Sequence, residues 1–510
     1  MVEFKAGVAS GHPLVTEAAS TILSNGGNAF DAVVAAGFAA AVVEPALSSL
    51  GGGGFLMARP AGGREILFDF FVDTPGKGLA KGARKPHFFP VTVEFPGSSQ
   101  VFNIGLGSVA VPGNLRGFIH VHSRLGSMDL ADIVAPAARF ARQGVSLNSH
   151  QAYFISLLEP IMLFSEEGRQ IFLKDGRYLE EGDILKNPAL ADFLDEIGRT
   201  RGGIIDDFYK GSLGKDIVSD MARGGGLLTM ADLAAYRVKE RQPLRTEFCG
   251  YELVTNPPPS FGGFYISMTL ELLEGLAVGD VCSYGDQRHL CILAQAMQQV
   301  EDYRKGMGFR LERPAKTWFE RARQDIRPCF SRGTTHVSVC DRHGNMASMT
   351  TSNGEGSGYF APGTGIMLNN MMGEDDLHPE GFHASPPGIR VGSMMSPSII
   401  ERDGSPVLVL GSGGSKRIRT ALVQVIVNRL CFDLAVKEAV ERPRIHWDGQ
   451  VFQVEPGFEE HVMEAFESRF PVNVWEGIDV YFGGVHVVDP VAGQAAGDPR
   501  RGGAAVILEN

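Results

Sequence analysis

Several absences narrow the reading of this chain before any motif is considered. Its 510 residues carry 47 Lys and Arg against 59 Asp and Glu, a formal net charge of −12. The basic surface that nucleic-acid binding requires is missing, which excludes that class of partner. No apolar run is longer than residues 32–43, well short of the roughly 18 residues that a membrane-spanning helix needs. A membrane partner is therefore not expected. The opening MVEFKAGVASGHP has no basic segment followed by an apolar stretch, so the expectation is no signal peptide and a cytoplasmic location. The six cysteines, Cys249, Cys282, Cys291, Cys329, Cys340 and Cys431, form no CxxC pair and read as buried, reduced thiols. No HExxH or similar histidine spacing is present, and no metal or cofactor is expected.

What is present is a chain long enough for two lobes or one large layered domain. Helical spacing runs over residues 14–24. Asn28 is then placed to cap an alanine-rich helix that ends at Glu44-Pro45. Four glycines, 51–54, precede a short apolar strand, and residues 64–70 make another. Residues 108–246 are mainly helical in pattern, Pro257-Pro258-Pro259 reads as extended, and residues 266–276 and 289–303 read as amphipathic helices. A polar, basic stretch at 314–332 has no clear period. Strands follow at 335–341, 346–352, 396–401 and 407–410, then a helix over 419–430. Stacked α and β layers are the implied class.

The segment SRGTTHVSVCDRHGNMASMTTSNGEGS (331–357) carries the first chemical signal. Two alternating strands flank the turn Asp341-Arg342-His343-Gly344-Asn345. A hairpin centred at His343 puts Thr334 opposite Ser352, with Cβ atoms about 4.5–5.5 Å apart. Two readings of Thr334 stand open. Threonine favours strands for β-branched reasons alone. Alternatively, cleavage after Gly333 would give Thr334 a free α-amine to serve as base for its own hydroxyl. A second glycine cluster, Gly411-Ser412-Gly413-Gly414-Ser415, lies between an apolar strand and a helix. It is a structural turn or an anion hole for an oxyanion or a phosphate. It is not a P-loop, because GxxxxGK[ST] spacing is absent.

These features resemble the γ-glutamyltransferase family of N-terminal-nucleophile hydrolases. The resemblance runs in order along the chain. It starts with Gly26-Gly27-Asn28-Ala29, Gly51-Gly52-Gly53-Gly54-Phe55 and Val111-Pro112-Gly113, and continues through Asp232-Leu233-Ala234-Ala235-Tyr236 and Pro257-Pro258-Pro259-Ser260. It resumes at Thr334-Thr335-His336, Gly344-Asn345, Leu368-Asn369-Asn370, Met395-Ser396-Pro397-Ser398 and the 411–415 cluster, and closes on Asp498-Pro499-Arg500-Arg501. It implies an α+β fold, a four-layer αββα sandwich made as a precursor. The precursor would cut itself between Gly333 and Thr334 into a large subunit, 1–333, and a small one, 334–510, that stay associated. Thr334 would be the nucleophile, Ser352 the supporting hydroxyl, and Gly413 and Gly414 the oxyanion-hole donors. The acyl group would pass from a small-molecule amide to water or an amine.

The substrate-recognition positions depart from the family. Phe71 stands where the family has an arginine for the substrate carboxylate, Met371 replaces a Glu or Gln, and Glu374 replaces an Asp. Ser393 is kept but its neighbour is Met394, and Gly354 replaces an Asn, with Asn353 beside it as a substitute. Loss of a bidentate arginine costs several kcal/mol of affinity. Arg390 and Arg417 are candidate replacement cations but read as solvated surface residues, and Glu374-Asp375-Asp376 reads as an ammonium site or an exposed acidic turn. The loop between Asn370 and Ser393 is short, favouring hydrolysis over transfer. The expected function is hydrolysis or transfer of a γ-glutamyl or related amide. The alternatives are an amidohydrolase for another acyl group, such as oxamate or a cephalosporin side chain, and an unprocessed, non-catalytic homologue.

Overall fold

The computed structural model describes residues 6–80, 82–95, 98–307, 333–374, 377–378 and 381–509. The stretch 314–332 with Cys329, and Asp375 and Asp376, lie outside the described residues.

Local sequence signals form the elements they suggest. Asn28 Oδ1 accepts from the amides of Phe30 and Asp31, and Asp31 Oδ2 accepts from the Asn28 amide at 3.0 Å. This reciprocal cap starts helix Ala29–Val43, all fifteen residues of which are buried. A helix apolar on every face is stable only inside a fold. With helix Pro13–Ser24 it covers the outer face of a seven-stranded antiparallel sheet. The strand order is Lys239–Arg241, Ile66–Phe70, Gly53–Arg59, Met346–Ser352, Thr335–Cys340, Ala6–Ser10 and Ala504–Leu508.

A second antiparallel sheet runs Leu244–Phe248, Tyr251–Thr255, Ser398–Arg402, Ser405–Gly413, Gly484–Asp489 and Gln494–Ala496. Helices Arg417–Leu430 and Gly262–Glu274 pack against it. The two sheets meet across a polar seam. Ser338 donates to the His486 carbonyl at 3.0 Å, Ser348 donates to the Leu410 carbonyl at 2.8 Å, and the His336 and His486 rings stack at 6.3 Å.

Three expectations need correction. Gly411, Ser412 and Gly413 are not turn residues: they continue the strand Ser405–Gly413 and pair with His486, Val485 and Gly484. The turn begins at Gly414, whose φ is 121°, and the helix starts at Arg417, earlier than expected. A side chain on Gly411 would meet the His336 ring at 2.2 Å, so the glycine there serves sheet contact. The proline segment is not extended either, since the Ser260 amide returns to the Pro257 carbonyl at 3.1 Å. Finally, Cys431 is not inside its helix but caps the end of it, half-buried, as are Cys249 and Cys282. Only Cys291 and Cys340 of the described cysteines are buried.

Candidate active site

Strand alternation explains the paired threonines. In Thr335–Cys340, Val337 and Val339 point to the helices, while His336 and Ser338 point into the seam. By the same period Thr335 faces the helices and Thr334, at the strand's entrance, faces the second sheet. The hairpin pairs Thr335 with Thr351 and Cys340 with Met346. One step further, Thr334 stands across from Ser352, the register that the turn composition implied.

Both hydroxyls converge on one atom, the carbonyl oxygen of Gly333. Thr334 Oγ1 donates to it at 2.7 Å, and Ser352 Oγ donates to it as well. The Ser352 oxygen in turn accepts from the Gly354 amide at 3.0 Å, and the Gly333 amide donates to Glu355 Oε1 at 3.1 Å. A Cβ on Gly333 would lie 1.9 Å from the Gly354 carbonyl. Glycine is required here by close backbone approach.

Across the seam, a Cβ on Gly413 would lie 2.3 Å from the Thr334 carbonyl. Gly414 packs instead against Gly483 and Arg501. Arg501 Nη1 donates to that same Thr334 carbonyl at 2.9 Å. Its own backbone is fixed by the turn Pro499–Arg501, which Asp498 caps through the Arg500 amide. Asp498 is held between the buried guanidinium groups of Arg444 and Arg500. Burial, reinforced by nearby Arg417, lowers the Arg501 pKa to about 10, which still leaves it charged at neutral pH.

On the helix side, Thr335 Oγ1 donates to Glu44 Oε1 at 3.2 Å and Oε2 at 3.0 Å. Burial pushes the Glu44 carboxyl up from 4.5 to about 7, against the pull of the Thr335 hydroxyl and of Arg501. Glu44, Arg501, His12 and Gln151 line a partly open pocket behind the nucleophile strand. In the sequence Glu44 reads only as a helix boundary, and Arg501 carries no expected role. The one usable signal was a carboxylate at the end of an otherwise apolar helix.

The structure places the remaining expected residues as follows. Asn353 is fully buried, its main-chain carbonyl accepts from the Asn370 amide, and its side-chain amide meets no hydrogen-bond partner among the described residues. Glu374 is buried beside it: a Cβ on Gly354 would lie 2.3 Å from Glu374 Oε1. It is thus not part of an exposed acidic turn. Phe71 is 1 % exposed and stacks on Phe55 at 5.4 Å, within the core that also holds Met371. Ser393 accepts from the Met395 amide at 3.1 Å, and Met394 packs with Phe261, Phe264 and Tyr265. Thr334, Ser352, Gly413, Asn353 and Glu374 thus gather around the Gly333 junction and its neighbouring turn. Phe71, Ser393 and Met394 are fixed through other neighbours.

The reading of Arg390 and Arg417 as surface residues is overturned, since both are buried. Arg390 pairs with Asp69 at 3.0 Å and Asp73 at 2.9 Å, and bonds the Tyr236 hydroxyl and the Phe71 carbonyl. Arg417 donates to the Tyr481 carbonyl and lies over the Tyr481 ring. Neither was findable from a charged residue's ordinary preference for water.

A hydroxyl pair on a hairpin, aimed at one carbonyl and flanked by a glycine-rich strand end, is an acyl-transfer geometry. Comparison with known proteins agrees. The model of the family described as Gamma-glutamyltranspeptidase matches residues 15–308 and 312–508. The chain belongs to the gamma-glutamyltranspeptidase family. It is 33 % identical over 501 residues to the glutathione hydrolase proenzyme of Escherichia coli strain K12, covering 91 % of this chain and 84 % of that protein. It is 32 % identical to the acylase ACY 1 proenzyme of Pseudomonas sp. strain SE83, covering 91 % and 86 %. The crystal structure of cephalosporin acylase from Bacillus halodurans superposes with a TM-score of 0.82 at 25 % identity, covering 100 % of this chain and 97 % of that one.

Proposed function

We propose that this protein is a self-processing amide hydrolase or acyltransferase whose nucleophile is the N-terminal Thr334 of a small subunit, 334–510, held against a large subunit, 1–333. The observation that carries this reading is the convergence of the Thr334 and Ser352 hydroxyls on the Gly333 carbonyl. The helix, sheet, sheet, helix stacking supports a four-layer αββα sandwich, and the proenzyme names of the relatives support processing.

In processing, Thr334 Oγ1 attacks the Gly333 carbonyl carbon while Ser352 stabilises the charge that develops on its oxygen. The Gly333–Thr334 C–N bond breaks, the amine takes a proton, and water hydrolyses the resulting ester. In turnover, the freed amine is the base for the Thr334 hydroxyl. That hydroxyl attacks the substrate amide, the leaving amine departs, and water or an acceptor amine takes the acyl group. Gly413 and Gly414 would donate to the oxyanion, while Arg501 anchors the Thr334 carbonyl from behind. The Asn353 side-chain amide, which meets no partner among the described residues, and the Glu374 carboxylate beside it would supply polar contacts to substrate.

The acyl group is γ-glutamyl or a relative. A second reading, an acyl group without the glutamyl α-carboxylate, is favoured by Phe71 and by Arg390, whose charge Asp69 and Asp73 already offset. A panel comparing γ-glutamyl anilide with small acyl amides and acylated amines separates them. Faster release from γ-glutamyl anilide supports the first, and faster release from the others the second. Hydrolysis of none by fully cleaved protein contradicts both.

A further inference from the structure

Among the described residues, one cysteine–cysteine contact joins the halves flanking the Gly333–Thr334 junction. Cys249 Sγ and Cys431 Sγ are 2.8 Å apart, while a disulfide bond is about 2.05 Å long. Cys249 occupies a two-residue hairpin turn with Gly250, both at positive φ, 49° and 73°. Asn or Gly ordinarily takes such a position. Cys431 comes from the other side of the sequence, 182 residues on, at the end of helix Arg417–Leu430. Both are half-buried and reachable from solvent, unlike Cys291 and Cys340.

We propose that Cys249 and Cys431 form a reversible disulfide that becomes the covalent link between the two subunits after cleavage; the cross-subunit part of this rests on the processing reading above. The oxidant is a low-molecular-weight disulfide. Cys249, whose thiol is eased toward the thiolate by its hydrogen bond with Cys431, attacks one sulfur and releases one small thiol. Cys431 then loses its proton and attacks Cys249 Sγ in the mixed disulfide, releasing the second. Two protein thiols and one small disulfide become one protein disulfide and two small thiols. The nearby Cys282 is not a participant: its S–H donates to the Val278 carbonyl at 3.0 Å and burial pushes it up to about 11.

The test uses the full-length protein incubated with oxidised glutathione, blocked with N-ethylmaleimide, then run on denaturing gels with and without reductant. A single band near full length without reductant, resolving into two with it, is the expected result. Cys249→Ser and Cys431→Ser each abolish the cross-link, and Cys282→Ser keeps it. Should the subunits never be cut, one band appears under both conditions; peptide mapping for a 249–431 cross-linked pair then decides the disulfide independently. N-ethylmaleimide on both Cys249 and Cys431 after oxidation overturns the proposal in either case.

Discussion

Glu44 offers the sharpest quantitative prediction, because its proton sets the charge beneath the nucleophile strand. Its carboxyl is buried, hydrogen-bonded to Thr335, and raised from 4.5 to about 7. Between these values the folded protein keeps a proton that the unfolded chain releases. Stability from this group is therefore complete below pH 4.5 and is lost as pH rises toward 7 and beyond. A shift of about 2.5 units at roughly 1.4 kcal/mol each amounts to about 3 kcal/mol. Glu44→Gln fills the same space, keeps an acceptor for Thr335 and has no proton to lose. Both proteins are compared in the uncleaved Thr334→Ala background, so that unfolding is that of one chain. Urea unfolding at pH 5, 6, 7 and 8 should show the Gln variant gaining about 2.5 kcal/mol on its parent across that range. Parallel pH profiles for the two proteins would refute the buried, raised carboxyl.

Other expectations concern the junction itself. Ser352→Ala removes one of the two donors to the Gly333 carbonyl and should slow maturation about 10²-fold, read as the rate of fragment appearance on a gel; unchanged kinetics would remove Ser352 from the site. Gly333→Ala brings a methyl to 1.9 Å from the Gly354 carbonyl, and should leave the chain largely uncut while circular dichroism stays near that of the parent. Arg501→Met should raise KM little and lower kcat, since Arg501 holds the Thr334 backbone; a KM effect alone would make it a substrate ligand.

Much of this was legible in the chain because it rested on short-range pattern. The hairpin's register followed from turn composition, and it placed Thr334 against Ser352 without any tertiary information. The alanine-rich helix announced its burial by having no polar face. The strand Ala6–Ser10 was not legible: its small residues lack β-branched alternation, and it is held as a strand by neighbours over 300 residues away. Long-range pairing hid the rest. Arg390 looked solvated because its carboxylate partners Asp69 and Asp73 are more than 300 residues upstream, and Cys249 looked unpaired because Cys431 lies 182 residues downstream. The glycine run at 411–413 read as a turn because glycine usually marks one. Here it lets His336 and the Thr334 carbonyl approach a continuing strand.

The central claim is that the bond after Gly333 breaks by the chemistry of its own neighbours. Intact-mass analysis of purified protein, beside Thr334→Ala, tests it most directly. Two fragments, the second beginning at Thr334, with a single full-length mass for the variant, is the predicted result. Active protein of unbroken full-length mass, or a variant cut at the same place, would contradict it.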